Sequence, residues 1–100
     1  MSSKSYKLTS KVLLYPGMAG WHFLIVPKKE SGTIKEKYGR LAKGWGSLPV
    51  SVTIGKTIWK SSIFPDRRAS SYLLPLKAKV RKAEDIWAGD TVSYAVKLLV

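Results

Sequence analysis

The residues of this 100-residue chain best suited to chemistry are tryptophans, serines and cations gathered around one stretch, Lys43 to Asp66. Trp45 stands between Gly44 and Gly46, with Arg40, Lys43 and Ser47 in the same loop. Trp59, Lys60 and Ser62 follow, then Arg67, Arg68, Lys77 and Arg81 further along. Aromatic faces stack nucleobases or other flat ligands, at roughly 1 to 3 kcal/mol per base, and cations hold phosphates. Arg40, Lys43, Trp45, Ser47, Lys60, Ser62, Arg67, Arg68, Lys77 and Arg81 are therefore the candidate binding residues, forming one groove if the fold brings their loops together. Lys7 is expected to lie remote from it.

Packing competes for several of these positions. Trp59 falls at an apolar strand position and is assigned to the core. Ser62, just before Phe64-Pro65-Asp66, can satisfy the backbone where a strand ends. Lys77 and Arg81, four apart on one helical face, suit an anion and suit water equally. Trp45, between two glycines in a loop, is harder to place in a core.

No catalytic constellation is legible. His22 is the only histidine and sits between Trp21 and Phe23, where a packed or half-exposed strand residue is favoured over a triad member. There is no GxSxG elbow. With one histidine, no cysteine and six dispersed carboxylates, no metal-ligand spacing exists, and GRLAKGWGS lacks the lysine-serine ending of a phosphate-cradling loop. No catalytic residue, cofactor or metal is expected, and a non-enzymatic role is favoured.

The charge balance narrows the partners. Eighteen cations against six carboxylates give a net charge of +12, a field that draws polyanions whatever the fold beneath it. The cations are scattered, so a well-solvated surface is the competing explanation. The absence of cysteine fits a reducing compartment. The start, MSSKSYKLTSK, has no apolar signal-peptide core, and the longest strongly apolar run, Phe23 to Val26, cannot span a bilayer. A cytoplasmic protein without membrane association is expected, as monomer or dimer.

The elements that must position these residues are mostly strands. Residues Ser5 to Tyr15 alternate apolar and polar, Trp21 to Val26 is apolar on both faces, and a short amphipathic helix follows Pro27 and stops at Gly39. Leu48 to Ile54 and Thr57 to Phe64 form a hairpin reversed by Gly55-Lys56 and closed by prolines, with Val50, Val52, Ile54 and Ile58 facing the core. DRRASS reads as a turn. Tyr72 to Leu76 is a strand cut by Pro75, Lys77 to Glu84 makes one or two helical turns, and Thr91 to Val100 is the last strand. A strand, proline, helix, glycine order occurs twice, and two such halves interleaved would close a small barrel around a pseudo-twofold axis. One β-barrel domain over 1–100 is expected.

The segments WHFLIVPK, GWGSLPVSVTIG, TIWKSSIFPD, YLLPLKAKVRKAE and AGDTV, in that order, resemble the bacterial domain-of-unknown-function family nineteen-oh-five. The resemblance implies a mainly β fold with short helices: a double-split β-barrel, the general architecture of small swapped-hairpin transcription regulators and antitoxins. In the tail, Arg81, Ile86, Gly89, Asp90 and Val92 match the helix, turn and strand hinge of those regulators. Fold likeness does not transfer DNA binding. Some family members carry a further segment associated with bacteriocin resistance, which is not carried over to this chain. The reading that results is a small basic barrel binding an anionic partner, nucleic acid first among the candidates. The alternatives are a ligand-binding or catalytic barrel with its site near Trp45, Ser62 and Lys77, and a protein-interaction domain.

Overall fold

A computed structural model describes residues 4–14, 21–66 and 70–100. Six strands close into a barrel: β1 (Ser5–Leu14), β2 (His22–Ile25), β3 (Leu48–Ile54), β4 (Thr57–Asp66), β5 (Ser71–Leu76) and β6 (Thr91–Leu98). Their order around the barrel is β1-β2-β5-β4-β3-β6, with β6 returning to β1, and every neighbouring pair is antiparallel. Helices α1 (Lys28–Tyr38) and α2 (Ala78–Ala83) follow β2 and β5.

The pairing contains the expected twofold. Leu24 faces Leu74 across β2 and β5, and the helix N-caps Pro27 and Lys77 are the same number of positions apart. On the far wall Val52 faces Val96, inside the transverse row Tyr6–Val96–Val52–Trp59. Exchanging the halves β1-β2-α1-β3 and β4-β5-α2-β6 maps this cycle of strands onto itself. Neither half closes its own wall, because β3 pairs only with β4 and β6.

Alternation places the core. In β3 Leu48, Val50, Val52 and Ile54 point inward, matched by Val92, Tyr94, Val96 and Leu98 of β6. Together with Leu24, Leu74, Ile63 and Val12 they fill the interior. The barrel is a packed core, and its ligand-sized spaces lie outside it. Ile34 of α1 is fully buried at the end where β5 begins. Val80 and Ile86, on and after α2, are buried at the end where β5 finishes.

Several local expectations change. Ile58 is 68% exposed, since the register puts Trp59 opposite Val52 and hence Ile58 on the outer face. Trp59 is half-buried and packs on the core as expected, with its indole N–H buried and unpartnered. The prolines of the hairpin lie within its strands, Pro49 opposite Ser62 and Pro65 opposite Tyr72. β5 also runs through Pro75. The pairing of β4 with β5 extends only from Phe64↔Leu73 to Asp66↔Ser71, so Pro75 lies beyond it. The two prolines of the repeat are therefore not equivalent: Pro27 caps a helix and Pro75 sits in a strand. The α-helix stops at Gly39 as expected, with Gly39 as its C-cap. Gly39 is right-handed (φ −54°), and a 3₁₀ turn continues through Leu41.

One buried polar chain crosses the wall. The Tyr94 hydroxyl lies 2.8 Å from Ser10 Oγ, which donates to the Ile25 carbonyl at 2.6 Å, so the phenol is the donor to the serine. Burial pushes the Tyr94 hydroxyl up to about 12, the Ser10 bond opposes this, and Glu30 adds to it. Burial also raises Tyr6 and Tyr72.

Candidate functional site

Three surfaces carry the residues that packing leaves over. The first is the outer face of β1-β6-β3-β4, a sheet on which pairing aligns side chains from four strands. One row runs Ser5–Lys97–Ser51–Lys60 and the next Lys7–Ala95–Thr53–Ile58. Thr9 and Ser93 are opposite one another, their hydroxyls 3.5 Å apart, and Lys11 faces Thr91. A shallow depression of about 430 Å³ opens at the small residue Ala95, walled by Lys7, Thr9, Thr53 and Ser93. The only carboxylate in these four strands is Asp66, at the last position of β4. The remaining acids sit on α1, after α2 and in the turn before β6. The paired rows thus present lysines and hydroxyls without a carboxylate, while Glu84, Asp85 and Asp90 border the face beside Thr91 and Ser93.

The second surface is the turn after α1. Gly44–Gly46 is a 3₁₀ turn in which Trp45 has φ 65° and is 93% exposed. The turn is tightly bonded: Lys43 N–H donates to Ser47 O, Gly46 N–H to Lys43 O, and Ser47 Oγ to Gly44 O. Gly46, at φ 74°, lies so close to Pro65 that a Cβ there would come within 2.9 Å of the ring. Glycine is required by both conformation and contact. The cost of holding a bulky residue in the left-handed region, of order 1 to 3 kcal/mol, is borne by the indole that shows itself to solvent. Arg40, Leu41 and Lys43 are exposed beside it in the sequence.

The third surface is a cleft of about 300 Å³ where α2 leaves β5. Trp21, His22, Pro75, Leu76, Lys77, Ala78 and Arg81 line it. Trp21 is half exposed, with its ring centroid 5.8 Å from that of Phe23. Arg81 Nε reaches the Leu76 carbonyl at 3.4 Å, and its Nη1 lies 3.5 Å from His22 Nε2. The twofold places Ser31 of α1 at the corresponding point. Ser31 Oγ donates to the Val26 carbonyl and accepts from Tyr72 N–H, each at 3.0 Å. Val26 and Tyr72 correspond to Leu76 and His22, so serine and arginine address matched carbonyls, but serine takes the Tyr72 backbone N–H where arginine meets the His22 ring.

A family model described as a domain of unknown function (DUF1905) matches residues 9–96. The chain belongs to this family. The match reaches from the middle of β1 into β6 and includes both helices, so the closed barrel is the fold of this DUF1905 domain. Comparison with curated proteins finds none that matches.

Within the DUF1905 barrel the eight candidate residues that are described do not form one groove. Arg40, Lys43, Trp45 and Ser47 belong to the turn against Pro65. Lys60 and Ser62 belong to the outer sheet face, and Lys77 and Arg81 to the cleft beside α2. Arg67 and Arg68 lie outside the described residues. Trp45 and Lys77 are separated because Pro65 faces Tyr72, and Lys77 is five residues further, about 17 Å along an extended strand. Lys7, expected to be remote, is the twofold mate of Lys60 on the same face. Trp21 and His22 were not among the expected binding residues. The signal that could have revealed them is their alignment in the repeat with the plainer Ser71 and Tyr72. Among the described residues no group of three or more acids and histidines could hold a metal ion, and no helix is long and apolar enough to cross a membrane.

Proposed function

We propose that this DUF1905 domain is a non-enzymatic module that binds a polyanion, nucleic acid first, on the outer face of β1-β6-β3-β4. The observation that supports this reading best is the carboxylate-free alignment of Lys7, Lys97 and Lys60 with Ser51, Thr53, Thr9 and Ser93 across four strands. Lysines on such a surface neutralise phosphates and hydroxyls donate to phosphate oxygens. Ile58, 68% exposed beside them, offers an apolar contact for a base or sugar.

Fluorescence anisotropy with single-stranded and duplex oligonucleotides tests it. Binding is expected at about 50 mM salt and falls steeply as salt rises. Lys7→Glu, Lys60→Glu and Lys97→Glu each reduce affinity and lower the salt slope by about one. Lys28→Glu and Lys29→Glu, on α1 and away from the face, change it much less. Undetectable binding at low salt, or equal weakening by the α1 substitutions, overturns the proposal.

A further inference from the structure

We infer that the cleft between β2, β5 and α2 is a binding site for a small flat aromatic anion, a ring carrying one phosphate or carboxylate, held by Trp21, Arg81 and Lys77. This inference is independent of the polyanion face, which lies on another wall of the barrel. Its first support is shape and lining. A volume of about 300 Å³ is at the lower end for small-molecule sites. One wall is a half-exposed indole and another a guanidinium, with the Lys77 ammonium at the rim. The flat ring stacks on Trp21, whose orientation is braced by the tilted ring of Phe23. The anionic group meets Arg81, whose contacts with Leu76 and His22 anchor it at the cleft wall.

The second support comes from inside the molecule. The twofold supplies a second copy of this corner, and there the chain uses Ser31, Ser71 and Tyr72 where the cleft has Arg81, Trp21 and His22. The serine joins helix to strand with two good hydrogen bonds and is buried. The matched corner is itself a cleft, of about 430 Å³ and lined in part by Lys35 and Asp66, but there a small neutral residue is enough to join helix to strand. A long cation, an indole and an imidazole in its place are not needed for that joint. All three line the cleft beside α2.

The test is titration of nitrogen-labelled protein by NMR, following the indole N–H signals of the four tryptophans; loss of a signal in Trp21→Phe assigns the relevant one. The probes are adenosine monophosphate and 1-naphthoate, with adenosine and inorganic phosphate as the ring-only and anion-only controls. Saturable shifts of the Trp21 signal are expected with the phosphate or the carboxylate probe or both, which names the source of the anion. Each control binds at least about tenfold more weakly. Trp21→Ala and Arg81→Met each weaken the bound probe by about tenfold or more, and Arg81→Lys less, because lysine keeps the charge without the planar fork. Lys60→Glu, on the sheet face, leaves probe binding unchanged even if it abolishes oligonucleotide binding. No shift at Trp21 with either probe, phosphate binding as tightly as the nucleotide, or full affinity in Trp21→Ala with the Arg81→Lys protein folded and equally unaffected overturns the inference.

Discussion

The halves of the barrel share a chain path but not a way of seating their helices. α1 runs eleven residues, extends into 3₁₀ turns and is fastened by buried Ser31 and Ile34. α2 runs six residues, buries only Val80 within it, and leans on the hairpin through Thr57 Oγ1, which donates to Glu84 at 2.5 Å. At the matched corner both halves leave a cleft, about 430 Å³ with Lys35 and Asp66 in its lining in the first and about 300 Å³ with Lys77 and Arg81 in the second, and only the first joins helix to strand through a buried serine. The helix-to-strand joint falls at the same place in both halves, so the indole, imidazole and guanidinium of the second are more than that joint requires. The linkers that follow the helices contrast as well. Each carries an exposed tryptophan, yet the Trp87 indole donates to Asp85 at 2.9 Å while Trp45 stands on a left-handed backbone.

The sharpest way to break this contrast is to exchange the corner residues. Ser31→Arg forces a cation into a position that is 2% exposed, and removes the acceptor that Tyr72 N–H uses. A loss of about 3 to 5 kcal/mol in urea unfolding is expected. Arg81→Ser, the reverse change, is expected to cost about 1 kcal/mol or less. Equal losses would mean that the arginine is a packing residue and the halves differ only in detail.

A second contrast lies in the walls. Where β6 and β1 have the bonded pair Tyr94 and Ser10, the matched places in β3 and β4 are Val50 and Ile63. The phenol, pushed up to about 12 by burial from an ordinary 10.0, gives a dependence the apolar side cannot give. The unfolded chain loses this proton first as pH rises past 10, whereas the folded barrel holds it until about 12. Its stabilising contribution is complete below pH 10 and lost between these values. Unfolding free energy from urea melts should fall more steeply over that window in the native protein than in Tyr94→Phe, with a difference in slope of up to about 1.4 kcal/mol per pH unit. Parallel profiles would remove Tyr94 from the account.

The smallest effect separates the linkers. Trp45→Gly relieves the left-handed strain and should raise stability by about 1 kcal/mol. Trp87→Gly, at a position with ordinary φ and a bonded indole, should lower it slightly. Thermal melts of the two variants decide whether the Trp45 turn is held under strain.

How far these contrasts were legible in the sequence depends on the range of the contacts. The β3–β4 hairpin was readable because LPVSVTI alternates cleanly and Gly55-Lys56 fits the reversal. In β4 the order Ile58, Trp59, Lys60 offers an apolar residue to either face, so only the pairing with Val52 fixes which one turns inward. Trp45, hard to place in a core because of its flanking glycines, is exposed in the structure, and that signal was local. The lysine face did not, because Lys7 and Lys60 meet on one surface only through the registers of four strands. Arg81 was singled out, but Trp21 and His22 looked like ordinary residues at the start of a strand. Their chemistry emerges only when α2 is placed against β2.

Closure of the barrel also sets an order of events during synthesis. β1 enters the wall beside β6, and β3 has β6 as its second neighbour, so strands made early wait for the one made last. A ribosome-bound chain lacking residues 91–98 would expose one side of both β1 and β3, as unpaired backbone and uncovered apolar surface. The local β3–β4 hairpin can pair early, but the barrel closes only once β6 has been added between β1 and β3.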